Sequence, residues 1–206
     1  MLAPSMSKHT TSTARLEAFS DGVIAVIITI MVLELKVPAA NGLAGLRAVV
    51  PTLVIYLLSF SFTGVYWINH HHLVHRTSEA DQRILWANLA FLFCLSLIPF
   101  FTSYLLDKHL DPFSTALYVA SMILTGIGFL LLRMAIGRRL RIQDALIDED
   151  LAIQRKQWLS LGLYLIAMPM SFYHPYVALG IIALVAVVWI VPTAKVDPCK
   201  EEQTNR

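Results

Sequence analysis

Six apolar stretches separated by short polar connections dominate the 206-residue chain. A helix needs about 20 mostly apolar residues to cross a bilayer. The pattern predicts spans from Phe19 to Leu35, Leu43 to Ile68, Ile84 to Leu106, Pro112 to Ile136, Trp158 to Tyr173 and Tyr176 to Val191. The second contains Pro51, which a membrane helix tolerates. The fifth is short, and His174 and Pro175 make a tight turn after it. The longest connection, 138–157, has apolar Leu140, Ile147 and Leu151 at roughly helical spacing. It reads either as an extension of the flanking helices into the cytoplasm or as a solvated linker with a basic flank facing anionic lipid. The expected fold is therefore all-α and polytopic, a single transmembrane domain over 1–206. Its 1–14 segment, 138–157 connection and 193–206 tail would be cytoplasmic.

Composition agrees. Apolar residues make up 57% of the chain, charged residues 15%, and the mean hydropathy is +0.65. Soluble domains are nearer 45–50% apolar and about 25% charged. No short apolar region with a cleavage site precedes the first stretch, so it reads as a retained helix. Lys and Arg divide thirteen against three between the two sides of the predicted membrane. That bias places both termini in the cytoplasm of a cell-membrane protein, which requires an even number of spans. Cys94 and Cys199 lie in dissimilar surroundings and suggest neither a disulfide nor a zinc site.

The most unusual polar residues open the first span: Arg15-Leu-Glu-Ala-Phe19-Ser20-Asp21-Gly22. A carboxylate at the edge of the hydrocarbon is costly unless paired or hydrated. Ser20 and Asp21 fit a helix start, where they would accept from free N–H groups. They equally fit a polar lock, with Arg15, between helices or at a pore mouth. At 100° per residue, Gly22, Val26, Thr29, Ile30 and Leu33 then share a stripe about 100° wide. Such a stripe is often ordinary packing or lipid contact. Around a symmetry axis it would stack uncharged rings able to conduct ions and to close by dewetting.

Arg-x-x-x-Phe-Ser-Asp at this position resembles the signature of the lysosomal and endosomal transmembrane potassium channel family and its prokaryotic homologues. The resemblance covers the whole chain: one six-helix unit, the motif opening the first helix, and Trp and His residues ending the second. It implies a potassium-permeable pore lined by the first helix. It also implies a homotetramer, since one unit with one pore-lining helix does not enclose a pore. Carried over residue by residue, the constriction would comprise Val26, Thr29 and Leu33, with Ile30 in the same layer. Val26 is smaller than the Ile or Leu often found there. A Trp and a following His on the second helix would hold the motif, which points to Trp67 and His70 as partners of Arg15, Phe19, Ser20 and Asp21.

The TVGYG filter of ordinary potassium channels is absent, and Thr125-Gly-Ile-Gly128 reads as small residues at a packing contact. His70, His71, His72 and His75 form a cluster whose His71–His75 spacing suits zinc but lacks an adjacent carboxylate. It reads as structural, or as a pH or metal site. Glu34 could form an acidic ring that concentrates K⁺ and other monovalent cations, or pair with Lys36 or Arg47. A secondary transporter or proton-leak pathway is the alternative function, although no ionisable residue lies between Asp21 and Glu34. A membrane-embedded enzyme, metal-dependent through the His cluster, is the third, and those His lack a carboxylate partner on the same face. None of these readings needs a nucleic acid or a cofactor.

Overall fold

In the computed structural model, residues 11–77, 79–142 and 148–190 are described. Among them are seven α-helices: α1 Thr13–Leu33, α2 Gly42–Val74, α3 Gln82–Ser96, α4 Ile98–Asp107, α5 Pro112–Ile142, α6 Asp148–Tyr173 and α7 Pro175–Ile190. Two short strands, β1 Thr11–Ser12 and β2 Glu79–Ala80, pair antiparallel.

The differences from expectation fall at the ends and in the third span. The apolar run begins at Phe19, yet α1 begins at Thr13, because the helix continues beyond the hydrocarbon-like stretch. Likewise α2 extends past Ile68 to Val74 and carries the His cluster on helix. The third span is divided at Leu97 into α3 and α4. Pro99 explains the division, since it has no N–H to give the Leu95 carbonyl and its ring crowds that carbonyl. Leu97 N turns back to Cys94 O at 3.3 Å. Taken together as Gln82–Asp107, α3 and α4 count as one long apolar unit, which leaves six helices.

Four of these units are long and apolar enough to cross a membrane: α1, α2, α3 with α4, and α5. The last two are weaker than the six-span pattern suggests. Helix α7 has 16 residues, and the N-terminal part of α6 is polar. On either side of 142–148 the helices run on into the long connection, as one of its two readings expected.

Helix α5 occupies the centre. Tyr118, Val119, Met122, Phe129, Leu132 and Ile136 along it are all buried. An aromatic group forms where α2, α3 and α5 meet: the Tyr66 and Phe129 rings lie 5.2 Å apart and Phe91 and Phe129 also 5.2 Å. The glycines of the Thr125–Gly128 segment are packing residues. A Cβ on Gly128 would approach Phe91 Cα to 3.0 Å, and one on Gly126 would approach Leu161 Cδ2 to 2.8 Å. Buried hydroxyls are satisfied across helices: Ser59 lies 2.9 Å from Thr102 and 2.8 Å from the Tyr118 hydroxyl. In a water-poor interior such pairing is needed to avoid a stranded polar group.

Candidate functional site

The two faces of α1 differ sharply. Leu16, Ser20, Ile24, Ile27 and Met31 are buried against the rest of the chain. Gly22, Val26, Thr29, Ile30 and Leu33 are exposed, with Val26 at 55% and Leu33 at 80%. These are the residues of the stripe drawn from helical spacing, and Ala18, Phe19, Ala25 and Val32 are exposed beside them. The Thr29 hydroxyl donates to Val26 O at 2.9 Å. Its oxygen can still accept a hydrogen bond. An open groove of about 880 Å³ follows this face between α1 and the α3–α4 junction, bordered by Val26, Ile30, Pro99 and Phe100.

Arg15 sits in the first turn of α1, whereas Ser20 and Asp21 lie well past it. Ser12 precedes the helix and makes no side-chain cap. The helix-start reading of Ser20 and Asp21 is thus overturned, because the helix begins earlier than the apolar run. Ser20 instead donates to Leu16 O at 2.8 Å. Its oxygen accepts from Asn88 Nδ2 on α3 at 2.9 Å, and Asn88 Oδ1 lies 2.8 Å from His70 Nε2 on α2. These three side chains are fully buried and join three helices. The network also fixes the tautomer. The Asn88 amide group donates to Ser20, so its carbonyl must accept, and Nε2 of His70 carries the proton. Nδ1 of His70 is the atom left without a partner.

Asp21 accepts from the Trp67 indole N–H at 2.9 Å. One turn earlier, Glu17 Oε1 lies 2.7 Å from His71 Nδ1. The polar seam between α1 and α2 therefore has two rungs, Asp21–Trp67 and Glu17–His71, with Ser20–Asn88–His70 beside them. Arg15 and Phe19 stand apart: both are exposed, and Arg15 makes no hydrogen bond or ion pair with another described residue. Asn88 was missed in the sequence, and the pairing of Glu17 with His71 was not foreseen. A lone Asn inside an apolar run was the available signal, because such a group must find partners.

At the opposite end of α1, Glu34 accepts from Ser103 Oγ on α4 at 2.8 Å. It pairs with neither Lys36 nor Arg47. Lys36 is held by Asp107 at 2.8 Å, and that carboxylate keeps the ammonium charged to above its ordinary range. Among the described residues no three His, Cys, Asp or Glu side chains are grouped to hold a metal ion.

The fold and this site define a class: polytopic α-helical membrane proteins whose first helix is held by a polar seam and presents an uncharged face outward. The family model described as the endosomal/lysosomal potassium channel TMEM175 matches residues 15–99. A protein named as a potassium channel from a Chryseobacterium species is 39% identical over 188 residues, covering 91% of this chain and 97% of its own length. One so named from Chamaesiphon minutus is 31% identical, covering 85% of this chain and 92% of its own. The crystal structure of a lysosomal potassium-selective channel TMEM175 homolog from Chamaesiphon minutus superposes with a TM-score of 0.75 at 28% identity, covering 86% of this chain and 96% of that one. The chain belongs to the TMEM175 family. That family is one of channels and not of enzymes.

Proposed function

We propose that the chain is a potassium-permeable cation channel of the cell membrane, assembled as a homotetramer around four copies of α1. All six helical units span the bilayer in this reading, α6 and α7 included, with both termini in the cytoplasm. The observation that carries it is the two-faced character of α1. Its back is buried in its own subunit, with Ile27 at 3% exposure, while its uncharged stripe is left open. Such a face would be completed by symmetry-related copies.

In this reading Val26, Thr29, Ile30 and Leu33 make the constriction. A ring of aliphatic side chains passes ions by making them shed part of their hydration. Potassium is favoured over sodium because it dehydrates at lower cost, and the ring closes by dewetting. The Thr29 oxygen offers a relay within that layer. Glu34 would draw monovalent cations to the outer mouth, with one carboxylate oxygen tied to Ser103. The motif residues Ser20 and Asp21, held by Asn88, His70 and Trp67, would fix the radius at which each α1 stands. Names of the relatives supply the ion, since those proteins are called potassium channels.

Ion flux from liposomes under a potassium gradient tests the reading. Wild-type protein should pass more potassium than sodium. Val26→Ala should raise total flux and lower the potassium preference, because a wider ring demands less dehydration. Unchanged selectivity in that variant would move the constriction elsewhere. A vesicle-incorporated protein that passes neither ion would defeat the channel reading.

A further inference from the structure

We infer that the outer wall formed by α3, α5 and α6 binds an anionic phospholipid of the cytoplasmic leaflet, with Arg83 and Arg138 on its phosphate and the apolar strip of α5 along its chains. The inference rests on the orientation proposed above, in which α3 begins and α5 ends on the cytoplasmic side, and not on conduction. Gly128 backs onto Phe91 of α3, and Gly126 onto Leu161 of α6. Residues two apart on a helix point about 200° apart, so α3 and α6 flank α5 on opposite sides. Between them Ile127, Leu131 and Met134 are exposed, at the spacing of one helix face. Arg138 continues that face one turn beyond Met134 and is exposed as well.

On α3 the exposed Arg83 precedes Phe91 by eight residues, and on α5 Arg138 follows Gly128 by ten. The two helices run in opposite directions. At 1.5 Å per residue the arginines therefore lie about 12 Å and about 15 Å to the same side of the Phe91–Gly128 contact. They stand side by side on neighbouring helices at the end that faces the cytoplasm. Trp86, one turn along from Arg83, is exposed. On α6, Gln157 turns inward to Gly126 O at 3.1 Å, and Trp158 beside it is exposed. Exposed Trp at this depth is the usual anchor of the membrane–water interface. Among the described residues neither Arg83 nor Arg138 has an ion-pair or hydrogen-bond partner. The carboxylates nearest in sequence to Arg83 are engaged, Glu79 by Arg139 at 2.6 Å and Asp81 by Ile84 N at 2.9 Å.

An apolar strip ending in two arginines matches a ligand with a charged head and hydrocarbon tails. The planar guanidinium fork suits phosphate oxygens. A zwitterionic lipid offers the same phosphate with a cation attached, so the arginines discriminate by net charge. A soluble phosphate or an acidic peptide would leave the strip uncovered. Each basic side chain near the surface favours anionic lipid by about five-fold.

Trp86 reports the lipid at this wall. The full chain is placed in vesicles of equal phosphatidylcholine and phosphatidylglycerol, with one or the other carrying brominated chains that quench indole fluorescence. The Trp86 signal is the difference between wild type and Trp86→Phe. Brominated phosphatidylglycerol should quench it as a lipid enriched at least about five-fold over phosphatidylcholine. Arg83→Gln combined with Arg138→Gln should bring the two lipids to parity. Arg138→Lys, which keeps the charge, and Arg47→Gln, near the start of α2, should each retain the preference. Equal quenching by the two lipids in wild type, or a preference intact in the double variant, would overturn the inference and leave the channel reading untouched. A preference in protein that passes no ion would support the inference and defeat the channel reading alone. Quenching of Trp86 by neither lipid would overturn the inference together with the spans it assumes.

Discussion

Replacing Asn88 with Ala would cut the three-helix junction at its centre. Two contacts go, Asn88 to Ser20 at 2.9 Å and His70 to Asn88 at 2.8 Å. Interhelical hydrogen bonds inside membranes average about 0.6 kcal/mol, so the two together are worth about 1 kcal/mol. The larger cost is the His70 Nε2–H, stranded in a fully buried site where Nδ1 already lacks a partner. A stranded buried donor costs about 1–3 kcal/mol. The sum is about 2–4 kcal/mol, which for a chain of this length lowers Tm on the order of 10 °C. Thermal unfolding of the purified protein in detergent measures it. Asn88→Leu separates the causes, because it refills the volume but leaves His70 stranded. A Leu variant restored to within about 2 °C of wild type would show that a cavity, not the junction, set the cost. Ser20→Ala removes one of the junction's two contacts, together with the bond to Leu16 O within α1, and should cost less than Asn88→Ala. The opposite order would refute the reasoning.

Two further expectations concern packing and charge. Gly128→Ala should destabilise by about 1–3 kcal/mol, seen as a lower Tm, because the new methyl meets the Phe91 backbone and not a yielding side chain. Asp111 receives Ser114 N and Phe113 N at 3.2 Å each at the start of α5, and hydrogen bonding there, from the Ser114 side chain first and these backbone groups after it, holds its carboxyl below the ordinary value of 3.8. A depressed carboxyl stabilises the fold above its unfolded pKa and loses that effect as pH falls through the folded one. Asp111→Ala should therefore lower Tm modestly at pH 7, with the gap to wild type closing only below about pH 3.8.

The helices were legible because polar residues mark the ends of the apolar runs and four of those runs are long. Where each helix stops was less so. Hydropathy records where the oily part ends, but α1 begins at Thr13 and α2 ends at Val74, since a helix can continue into water once its core is anchored. The division at Leu97 had a visible cause in Pro99. The stripe Val26–Leu33 was legible because 3.6-residue periodicity assigns residues to faces. Periodicity does not say which face meets which helix. Glu17 and His71 were both in view, yet their pairing depends on the rotation of α1 against α2, which only packing decides. Asn88 was overlooked because an amide in an apolar run carries no motif, although its burial obliges it to bond.

The contrast between α1 and α5 has a consequence for how such a protein can change. The residues that knit the chain together line α5 and the back of α1, and substitutions there disturb many neighbours at once. Val26, Ile30 and Leu33 are largely exposed on the single chain, so its folding scarcely constrains them. Their size can drift or be selected one step at a time. In the proposed channel, a lineage, or an engineer, can retune what passes along α1 while leaving the scaffold intact.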